Sequence, residues 1–517
     1  MKKFSLMLAL LLLLSGCKKA PEPTVPTTEE TVPGLTDFIE CQTHTDQDDD
    51  GLCDVCHYSI LVTFDFYCIN DLHGKIADAD THPGVDELTT FLEKAREHNE
   101  NTIVLSAGDM WQGSAESNMT RGALTTEWMN DVGFAAMTLG NHEFDWGEDP
   151  IVANSQIADF PFLAINIYDR QTDAQVAYCE SSLLVDQGDV QIGIIGAMGD
   201  CYSSISASQV KDVYFITGSD LTALVKAESE KLRTQGADFI VYVIHDGYGD
   251  STSASAIPIS GGKLRDYYDT SLSRGYVDLV FEGHTHQRYI LEDEHGVYHL
   301  QNKGDNKGIS HVTVRINPVT GTSVCTGTKL LATGVYANME DDPIVEELLE
   351  KYASQLSSAG EILGYNSRLR YKNDLRQLTA DMYYRLGMET WGDQYDIVLG
   401  GGFMSVRSPG SLPEGEVTYA MLQGLLPFDN RLALCTVSGR DLADKFFFTT
   451  NDSYFISFGE YGRKVRQNID PDATYYIILD SFSYDYAPNN VTVVEEYQDG
   501  VYARDLIAQY IRDGGME

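Results

Sequence analysis

Five short apolar runs in the sequence each stop at a cluster of Asp, Asn or His residues, and this pattern constrains the fold more than any other feature. The runs and the clusters that follow them are Ile60–Ile69 with Asn70-Asp71-Leu72-His73, Thr102–Ser106 with Gly108-Asp109, Ala135–Leu139 with Gly140-Asn141-His142, Phe239–Ile244 with His245-Asp246, and Val277–Phe281 with Gly283-His284-Thr285-His286. Helical patterns such as Val85–His98 and Leu221–Thr234 lie between the runs, which predicts an α/β fold. Because ligand sites in such sheets lie beyond the carboxyl ends of the strands, we expect the clusters to converge on one site.

The clusters carry the donor atoms of a mixed nitrogen and oxygen metal site. The candidate ligands are Asp71, His73, Asp109, Asn141, His245, His284 and His286. Asp71 and His73 are two residues apart, so both side chains project from one side if the segment is extended. The set contains no thiolate, which suits Zn, Mn, Fe or Co. These residues suffice for two adjacent ions bridged by Asp109, and such a pair activates water for displacement at phosphorus.

The charge of the chain excludes one class of partner. The sequence has 36 Lys and Arg against 78 Asp and Glu, a formal net charge of −42. Binding of a nucleic-acid polymer gains affinity by counterion release from clustered basic residues, which this composition does not favour. Any phosphate that the protein handles must therefore be held by local cations or metal ions.

The N-terminal residues are typical of an export signal. A basic start, Met1-Lys2-Lys3, precedes the apolar run Leu6–Leu14, which is too short to span a bilayer and indicates a signal peptide. The following Leu14-Ser15-Gly16-Cys17 resembles the bacterial lipoprotein box, which implies lipidation of Cys17. We expect a protein on the extracellular face of a bacterial membrane, held only by its lipid anchor, with Lys18–Pro33 as a flexible stalk.

A second cluster, between Cys41 and His57, lies outside the predicted catalytic site and permits three interpretations. Cys41, His44, Cys53 and Cys56 have the residue types of a small Zn knuckle. The segment Asp46-x-Asp48-x-Asp50-Gly51 matches the first half of a Ca loop, although His57 stands where the last carboxylate is expected. The third interpretation is an acidic spacer with an opportunistic disulfide.

The motif series resembles that of the dinuclear metallophosphoesterases, and more narrowly that of the secreted 5′-nucleotidases, UDP-sugar hydrolases and 2′,3′-cyclic phosphodiesterases. The motifs are Asn70-Asp71-Leu72-His73-Gly74, Gly108-Asp109-x-x-Gln112-Gly113, Gly140-Asn141-His142-Glu143-Phe144-Asp145 and Gly283-His284-Thr285-His286. Their order and spacing hold over about residues 60 to 330. The resemblance implies a four-layer αββα metallophosphoesterase domain followed by an α+β 5′-nucleotidase C-terminal domain.

The same resemblance assigns roles to individual residues. It implies one metal held by Asp71, His73, Asp109 and His286, and a second held by Asp109, Asn141, His245 and His284. His142 would be the catalytic histidine at the phosphoryl oxygen and leaving group, and Asp145 would orient it. The attacking group would be a metal-bound hydroxide, so no protein nucleophile is required.

The C-terminal part resembles the substrate-specificity domain of the same nucleotidases, with departures. Asp396–Phe403 corresponds to a segment that carries Asn in that family, where this chain has Gly400. Phe428 and Tyr486 are candidate base-stacking residues, since stacking on an aromatic ring contributes about 1–3 kcal/mol per base. The candidate phosphate or ribose contacts are Arg370, Arg376 and, as the first choice, Arg407.

The sequence therefore predicts a surface-anchored hydrolase that releases phosphate from extracellular nucleotides. Its expected segments are a signal peptide at 1–17, a stalk at 18–59, the catalytic domain at 60–340, a connecting helix at 341–362 and the substrate domain at 363–517. The alternatives are a 2′,3′-cyclic-nucleotide phosphodiesterase with 3′-nucleotidase activity, a UDP-sugar hydrolase, and a nucleotide-binding lipoprotein without turnover. The sequence leaves the metal, the preferred nucleotide and the oligomeric state open.

Overall fold

The computed structural model of the chain describes residues 43–78, 83–248, 275–403, 406–407, 410–450, 452, 454–486, 491–498 and 500–516. The predicted signal peptide with Cys17, the first part of the stalk and Cys41 lie outside the described residues. The helices within the described ranges are too short or too polar to cross a lipid bilayer.

Two mixed sheets dominate the N-terminal part, which we define as residues 62–356. Its strands are β1 (Val62–Ile69), β2 (Thr102–Ser106), β3 (Ala136–Thr138), β4 (Phe162–Leu163), β5 (Ile167–Asp169), β6 (Ser182–Gln187), β7 (Val190–Met198), β8 (Val213–Phe215), β9 (Phe239–His245), β10 (Leu279–Glu282), β11 (Tyr289–Glu292), β12 (Tyr298–Gln301), β13 (Gly308–Ile316) and β14 (Ser323–Ala332). One sheet has the order β14-β13-β1-β2-β3-β4 and the other β11-β12-β10-β9-β7-β6. The five predicted strands are confirmed as β1, β2, β3, β9 and β10.

The sheets pack face to face, and helices cover their outer faces. The helices of this part are α1 (Asp86–His98), α2 (Ala115–Met119), α3 (Ala123–Val132), α4 (Asp149–Ile157), α5 (Gly218–Thr234), α6 (Ile344–Lys351) and α7 (Ala353–Leu356). Phe66 of β1 stacks on Phe239 of β9 across the sheet interface, with ring centroids 5.7 Å apart. Alternate residues of β1 point to the opposite face, where Tyr67 joins the core with Leu88 of α1. This arrangement confirms the predicted four-layer αββα fold.

The connection to the rest of the chain differs from the single helix predicted over 341–362. The structure has α6 and α7 instead, separated at Tyr352, whose backbone leaves the helical conformation at φ −91° and ψ 5°. The Tyr352 hydroxyl donates a hydrogen bond to Glu127 of α3 at 2.8 Å. This contact attaches the connection to the N-terminal part. The predicted domain boundaries stay predictions.

The C-terminal part, residues 362–512, is an α+β unit, as predicted. Its strands are β15 (Ile362–Asn366), β16 (Arg370–Tyr371), β17 (Ile397–Phe403), β18 (Ser411–Leu412), β19 (Gly415–Thr418), β20 (Leu432–Ser438), β21 (Tyr454–Ser457), β22 (Thr474–Asp480) and β23 (Val491–Glu496). Its helices are α8 (Lys372–Trp391), α9 (Tyr419–Leu425), α10 (Gly439–Asp441), α11 (Glu460–Gln467), α12 (Ser481–Tyr486) and α13 (Ala503–Arg512). The main sheet has the order β21-β17-β22-β20-β23, and α8 packs on β17 and β21.

Candidate metal centre and active site

The first group of predicted ligands lies beyond the carboxyl ends of β1 and β10. The Nε2 atoms of His73 and His286 are 3.1 Å apart, and His286 Nε2 is 3.3 Å from Asp71 Oδ1. Two imidazole nitrogens at that distance can form one hydrogen bond at most, whereas a cation between them is bound by both lone pairs. The structure therefore brings Asp71, His73 and His286 together in an arrangement that fits one cation.

The second group extends from the first toward the other sheet. His245, the last residue of β9, has its Nε2 3.1 Å from Asp109 Oδ2 and 3.1 Å from Asn141 Oδ1. Asn141 Oδ1 is also 2.9 Å from His284 Nδ1. Ligand atoms of Asp71, Asp109 and His245 all lie within 4.8 Å of one another, which joins the two groups. All seven predicted ligands thus meet at one edge, with Asp109 between the groups.

The backbone conformation of these ligands differs from the one that the sequence predicts. Asp71, His73, Asp109, His284 and His286 all have φ between 52° and 70°, the left-handed region that residues other than glycine seldom adopt. The expectation that Asp71 and His73 project together from an extended segment is therefore wrong. Hydrogen bonds between the loops after β1 and β2 hold the unusual conformation, for instance His73 N to Asp109 O at 3.0 Å. Backbone strain of this kind concentrates at functional sites.

Backbone carbonyls fix the orientation of two ligand imidazoles. His73 Nδ1 lies 2.8 Å from Gln112 O, and His245 Nδ1 lies 2.6 Å from Ala107 O. Each Nδ1 must donate to its carbonyl, so Nε2 faces the centre of the site. Metal-binding histidines in proteins are held in this way.

The electrostatics of the cluster favour a cation. Burial opposes protonation of His245, but the carboxylates of Asp109 and Asp71 outweigh it and raise the pKa of the imidazole to about 10. Burial raises the pKa of Asp109, but the neighbouring imidazoles, above all His245, outweigh this effect and hold the pKa well below its usual value. Positive charge is thus stabilised where the carboxylates meet, so the residues present fit divalent metal ions.

Glu143 braces the loops that carry Asp109 and Asn141. Its buried carboxylate accepts hydrogen bonds from the backbone N–H groups of Asp109, Met110, Trp111 and Gly140 at 2.7–3.3 Å. The two loops approach each other so closely that a Cβ atom on Gly140 would lie 2.3 Å from Asp109 Oδ1. Only glycine fits at that position.

His142 and Asp145 form a pair at the border of the metal cluster. His142 lies in the short 3-10 helix Asn141–Phe144, and Asp145 directly follows this helix. His142 Nδ1 lies 2.6 Å from Asp145 Oδ2, and Arg407 Nη2 donates to His142 Nε2 at 3.1 Å. Since Nε2 accepts this bond, Nδ1 carries the proton that Asp145 binds.

A cavity of about 630 Å³ opens from this pair toward the C-terminal part. Its lining includes His142 and Asp145 from one side and the predicted residues Arg407 and Phe428 from the other. The Phe428 ring centroid is 6.2 Å from that of His142. Arg370 instead bonds Asn366, and Arg376 lies over the ring of Phe455. Tyr486 ends α12, and its side chain lies outside the described part of the chain.

The cavity is also lined by residues that the sequence analysis overlooked. These are Phe403, Asn430, Asp480, Phe482 and Arg504, together with Ser203, Ser204, Ser206 and Gln209 of the N-terminal part. The signal for Asp480 was present, because the apolar run Tyr475–Leu479 stops at it as the catalytic runs stop at their ligands. The segment Ser481–Tyr486 contains three aromatic residues, and only the packing of α12 shows that Phe482 lines the cavity.

A salt bridge holds the two parts together at this cavity. Asp429, next to Phe428, pairs with Arg121 of the N-terminal part at 2.6 Å and with Arg504 of the C-terminal part at 2.8 Å. The three side chains fix the position of the Phe428 ring relative to His142.

A buried network under the loop of His284 and His286 supports the metal centre. Gln301 Oε1 accepts hydrogen bonds from Thr285 Oγ1 and from Gln287 N, both at 2.8 Å. Beside it, His299 Nδ1 lies 2.9 Å from Glu282 Oε1, and Glu282 also accepts from the Tyr289 hydroxyl. The loop is thereby anchored to β12.

His299 makes the stability of this region depend on pH. Burial opposes its protonation, but Asp293 and Glu282 raise the pKa of His299 from 6.5 to about 9. A raised histidine pKa stabilises the folded state below the unfolded value, and this contribution is lost as pH rises through the folded value. We expect His299→Gln to reduce the free energy of unfolding by at most about 3 kcal/mol more at a pH below 6.5 than above 9.

Urea denaturation of the wild type and the variant at the two pH values measures this difference. His98→Gln, at an exposed position of α1, is the control and is expected to show no pH-dependent change. An equal effect of His299→Gln at both pH values would show that folding leaves the pKa of His299 unshifted.

Comparison with known proteins agrees with the geometry. The sequence profile of the calcineurin-like phosphoesterase family matches residues 64–288. Endonuclease YhcR of Bacillus subtilis is 26% identical over 466 residues, 80% of this chain but only 36% of that relative, so the chain spans about a third of its length. Protein UshA of Yersinia enterocolitica is 24% identical over 509 residues, 85% of this chain and 87% of UshA.

Among solved structures, a 5′-nucleotidase precursor from Thermus thermophilus has the same fold. Its TM-score is 0.67 at 18% identity, and the match covers 87% of this chain and 96% of that chain. The match extends over both the N-terminal and the C-terminal parts. The predicted class of enzyme, a phosphoester hydrolase, is confirmed at the level of the family. Residues 64–288 form a metallophosphoesterase domain of the calcineurin-like family, within a chain that has the two-part fold of the 5′-nucleotidases.

Proposed function

We propose that the chain is a 5′-nucleotidase that releases phosphate from nucleotides at a dinuclear metal centre. One observation carries the proposal: the metal-ligand cluster and the His142–Asp145 pair open into a cavity of about 630 Å³ whose far side has aromatic walls. A cavity of this size accommodates a nucleotide. Phosphoester chemistry and recognition of a nucleoside are thus supplied from opposite sides of one space.

His142 is suited to stabilise the leaving group. Asp145 holds the Nδ1 proton, so Nε2 faces the cavity and can carry a second proton, with the resulting imidazolium stabilised by the carboxylate. Two divalent ions bound by the cluster would supply a water of lowered pKa and neutralise charge on the phosphoryl oxygens. Arg407, now bonded to His142 Nε2, is within reach of the same phosphoryl group and would exchange one partner for the other.

The C-terminal part supplies an apolar site for a base and a polar site for a ribose. Phe428 lies beside His142, while Phe403 and Phe482 form a second wall with ring centroids 5.4 Å apart. Asp480 accepts hydrogen bonds from the Tyr383 hydroxyl and from Ser483 N, at 2.9 and 2.8 Å. A buried carboxylate in this position is suited to accept hydrogen bonds from ribose hydroxyls.

A substrate panel tests the proposal. After chelation, the protein is reloaded with Mn, Zn, Co or Fe and assayed on nucleoside 5′-monophosphates, 2′,3′-cyclic nucleotides, a UDP-sugar and p-nitrophenyl phosphate. We expect chelation to abolish and metal to restore phosphate release, with the highest kcat/KM on a nucleoside 5′-monophosphate. A higher value on the cyclic nucleotide or the UDP-sugar supports that alternative instead. Activity that chelators leave unchanged would contradict the metal-dependent mechanism.

His142→Ala is expected to lower kcat by about 10²–10⁴-fold, the usual contribution of a general acid or base. The metal content, measured by elemental analysis, should stay near that of the wild type because His142 is not one of the ligands. His98→Ala, on the surface of α1, serves as the matched control. Loss of metal together with activity would make His142 a structural residue of the cluster.

Phe482→Ala separates nucleoside recognition from the chemistry of the phosphate. Loss of one stacking partner, about 1–3 kcal/mol per base, is expected to raise KM for a nucleoside 5′-monophosphate roughly tenfold. In this variant, the KM for p-nitrophenyl phosphate should stay unchanged. The control is Phe448→Ala, which replaces an exposed phenylalanine of the C-terminal part and should leave the KM of both substrates unchanged. An equal rise for both substrates would place Phe482 in the packing of the fold rather than in base binding.

We further propose that the enzyme is displayed on the extracellular face of a bacterial membrane by lipidation of Cys17. The support is the sequence Leu14-Ser15-Gly16-Cys17 directly after an apolar run. In a bacterial host, the wild type should sediment with membranes and Cys17→Ser should not. Equal membrane association of both would contradict the lipid anchor.

A further inference from the structure

The segment that precedes β1, residues 43–61, folds into a small loop outside the active site. Cys53 N donates to Tyr58 O at 2.9 Å and His57 N donates to Cys53 O at 2.8 Å, which closes a tight turn. Asp54 N donates to Thr45 O at 2.8 Å and brings the first part of the loop beside that turn. His44 is thereby placed next to Cys53 and Cys56.

Three soft donor atoms meet in this loop. A ring nitrogen of His44 and the sulfurs of Cys53 and Cys56 lie within 4.8 Å of one another, and His44 Nδ1 is 3.7 Å from Cys56 Sγ. Tetrahedral zinc with Zn–S near 2.3 Å and Zn–N near 2.0 Å places its ligand atoms about 3.5–4 Å apart. Cys53 and Cys56 are both thiols, and a thiolate is a preferred ligand of zinc.

The loop lacks an apolar core that would hold it without a cross-link. Its larger apolar side chains Leu52, Val55 and Tyr58 are exposed, and Cys53 and Ile60 are the apolar residues buried within the described part of the loop. A segment with so few buried apolar side chains gains stability from a metal or a disulfide. A metal ion bound by two thiolates and an imidazole supplies that cross-link.

The acidic residues Asp46 and Asp49 attach the loop to the catalytic domain. Asp46 Oδ1 accepts from Asp50 N, and Asp46 Oδ2 accepts from Gly51 N at 2.9 Å and from Asn317 Nδ2 at 2.7 Å. Asp49 accepts from the hydroxyls of Thr320 and Thr322. These carboxylates dock the loop on the turn between β13 and β14. The chemistry of the loop therefore divides into docking by carboxylates and metal binding by softer groups.

The loop lies far from the predicted catalytic metal ligands. It docks beside Asn317, and Ile316 pairs with Val62 at the start of β1, whereas the catalytic ligands follow Ile69 at the other end. The eight residues of β1 span about 25 Å at roughly 3.3 Å per residue. Occupancy of the loop is thus separable from catalysis.

We propose that His44, Cys53 and Cys56 bind a structural zinc ion that fastens residues 43–61 to the catalytic domain. The proposal does not depend on the substrate of the catalytic centre.

Cobalt spectroscopy on the full-length protein tests it, because cobalt bound by thiolate gives a near-ultraviolet charge-transfer band that nitrogen and oxygen ligands do not. The metal-depleted, reduced protein is titrated with Co²⁺ and then with Zn²⁺. We expect a band that saturating Zn²⁺ removes and that is absent from the double variant Cys53→Ser/Cys56→Ser. Cys325→Ser, a half-buried thiol on β14, is the matched control and should retain the band.

A second control covers the thiol nearest to the catalytic ligands. Cys201 lies within 4.8 Å of donor atoms of His245 and His284, so Cys201→Ala must also retain the band. Loss of the band in Cys201→Ala, or its persistence in the double variant, would overturn the proposal. Binding of Ca²⁺ instead of Zn²⁺, abolished by Asp48→Asn but not by the double variant, would overturn it as well.

A measurement on the wild type does not depend on the folding of any variant. Alkylation by iodoacetamide, with and without Zn²⁺, is followed at each cysteine by mass spectrometry. We expect Zn²⁺ to protect the half-buried Cys56 at least tenfold and to leave Cys325 unchanged. Equal alkylation with and without Zn²⁺, or recovery of Cys53 and Cys56 as a disulfide from protein purified under air, would contradict the zinc site.

Discussion

Two carboxylates buried within a few ångströms of each other determine how the N-terminal part is built. Asp71 and Asp109 are 0% and 1% exposed, and their ligand oxygens lie within 4.8 Å of each other and of His245. Burying like charges at this distance is unfavourable unless positive charge and hydrogen-bond donors compensate. The backbone N–H of His284 supplies one donor to Asp71, and that of His142 supplies one to Asp109. The remaining compensation must come from cations.

This requirement explains why two sheets are needed. The compensating groups arrive at the ends of strands from both sheets, so neither sheet alone encloses the carboxylates. Face-to-face packing through Phe66 and Phe239 fixes the distance between the sheets, and with it the distance between His245 and Asp109. The C-terminal part then contributes Arg407 from outside, as a further positive charge at the border of the cluster.

Local patterns in the sequence predicted the α/β fold and the ligand set, whereas the four layers were predicted from the family resemblance. An apolar run that stops at Asp or His identifies a strand and its functional end together, as at Phe239–His245. Local patterns did not predict how the ligands are presented, because the left-handed backbone at Asp71 and His73 is imposed by hydrogen bonds to the neighbouring loop. Without those tertiary contacts, an extended segment was the reasonable expectation.

The walls of the cavity were predicted less completely, for a related reason. Phe428 and Arg407 were identified through resemblance, and they line the cavity. Phe482 was not identified. The sequence of a short helix does not show which of its aromatic side chains faces a cavity between two separate parts of the chain. Asp480 ends β22 and thus follows the same pattern of an apolar run that stops at Asp or His, which predicted site residues only in the N-terminal part.

The left-handed backbone of the ligands also limits how such a site can change in evolution. At positive φ, Asp, Asn, His and Gly are tolerated, whereas the β-branched residues Val, Ile and Thr are strongly disfavoured. Single substitutions at Asp71, Asp109 or His284 that keep the fold are therefore drawn mainly from Asn, Asp, His and Gly. A descendant that abandoned catalysis would first accumulate these residues at the ligand positions. Its sequence would continue to display the loops of an enzyme after the metals were lost.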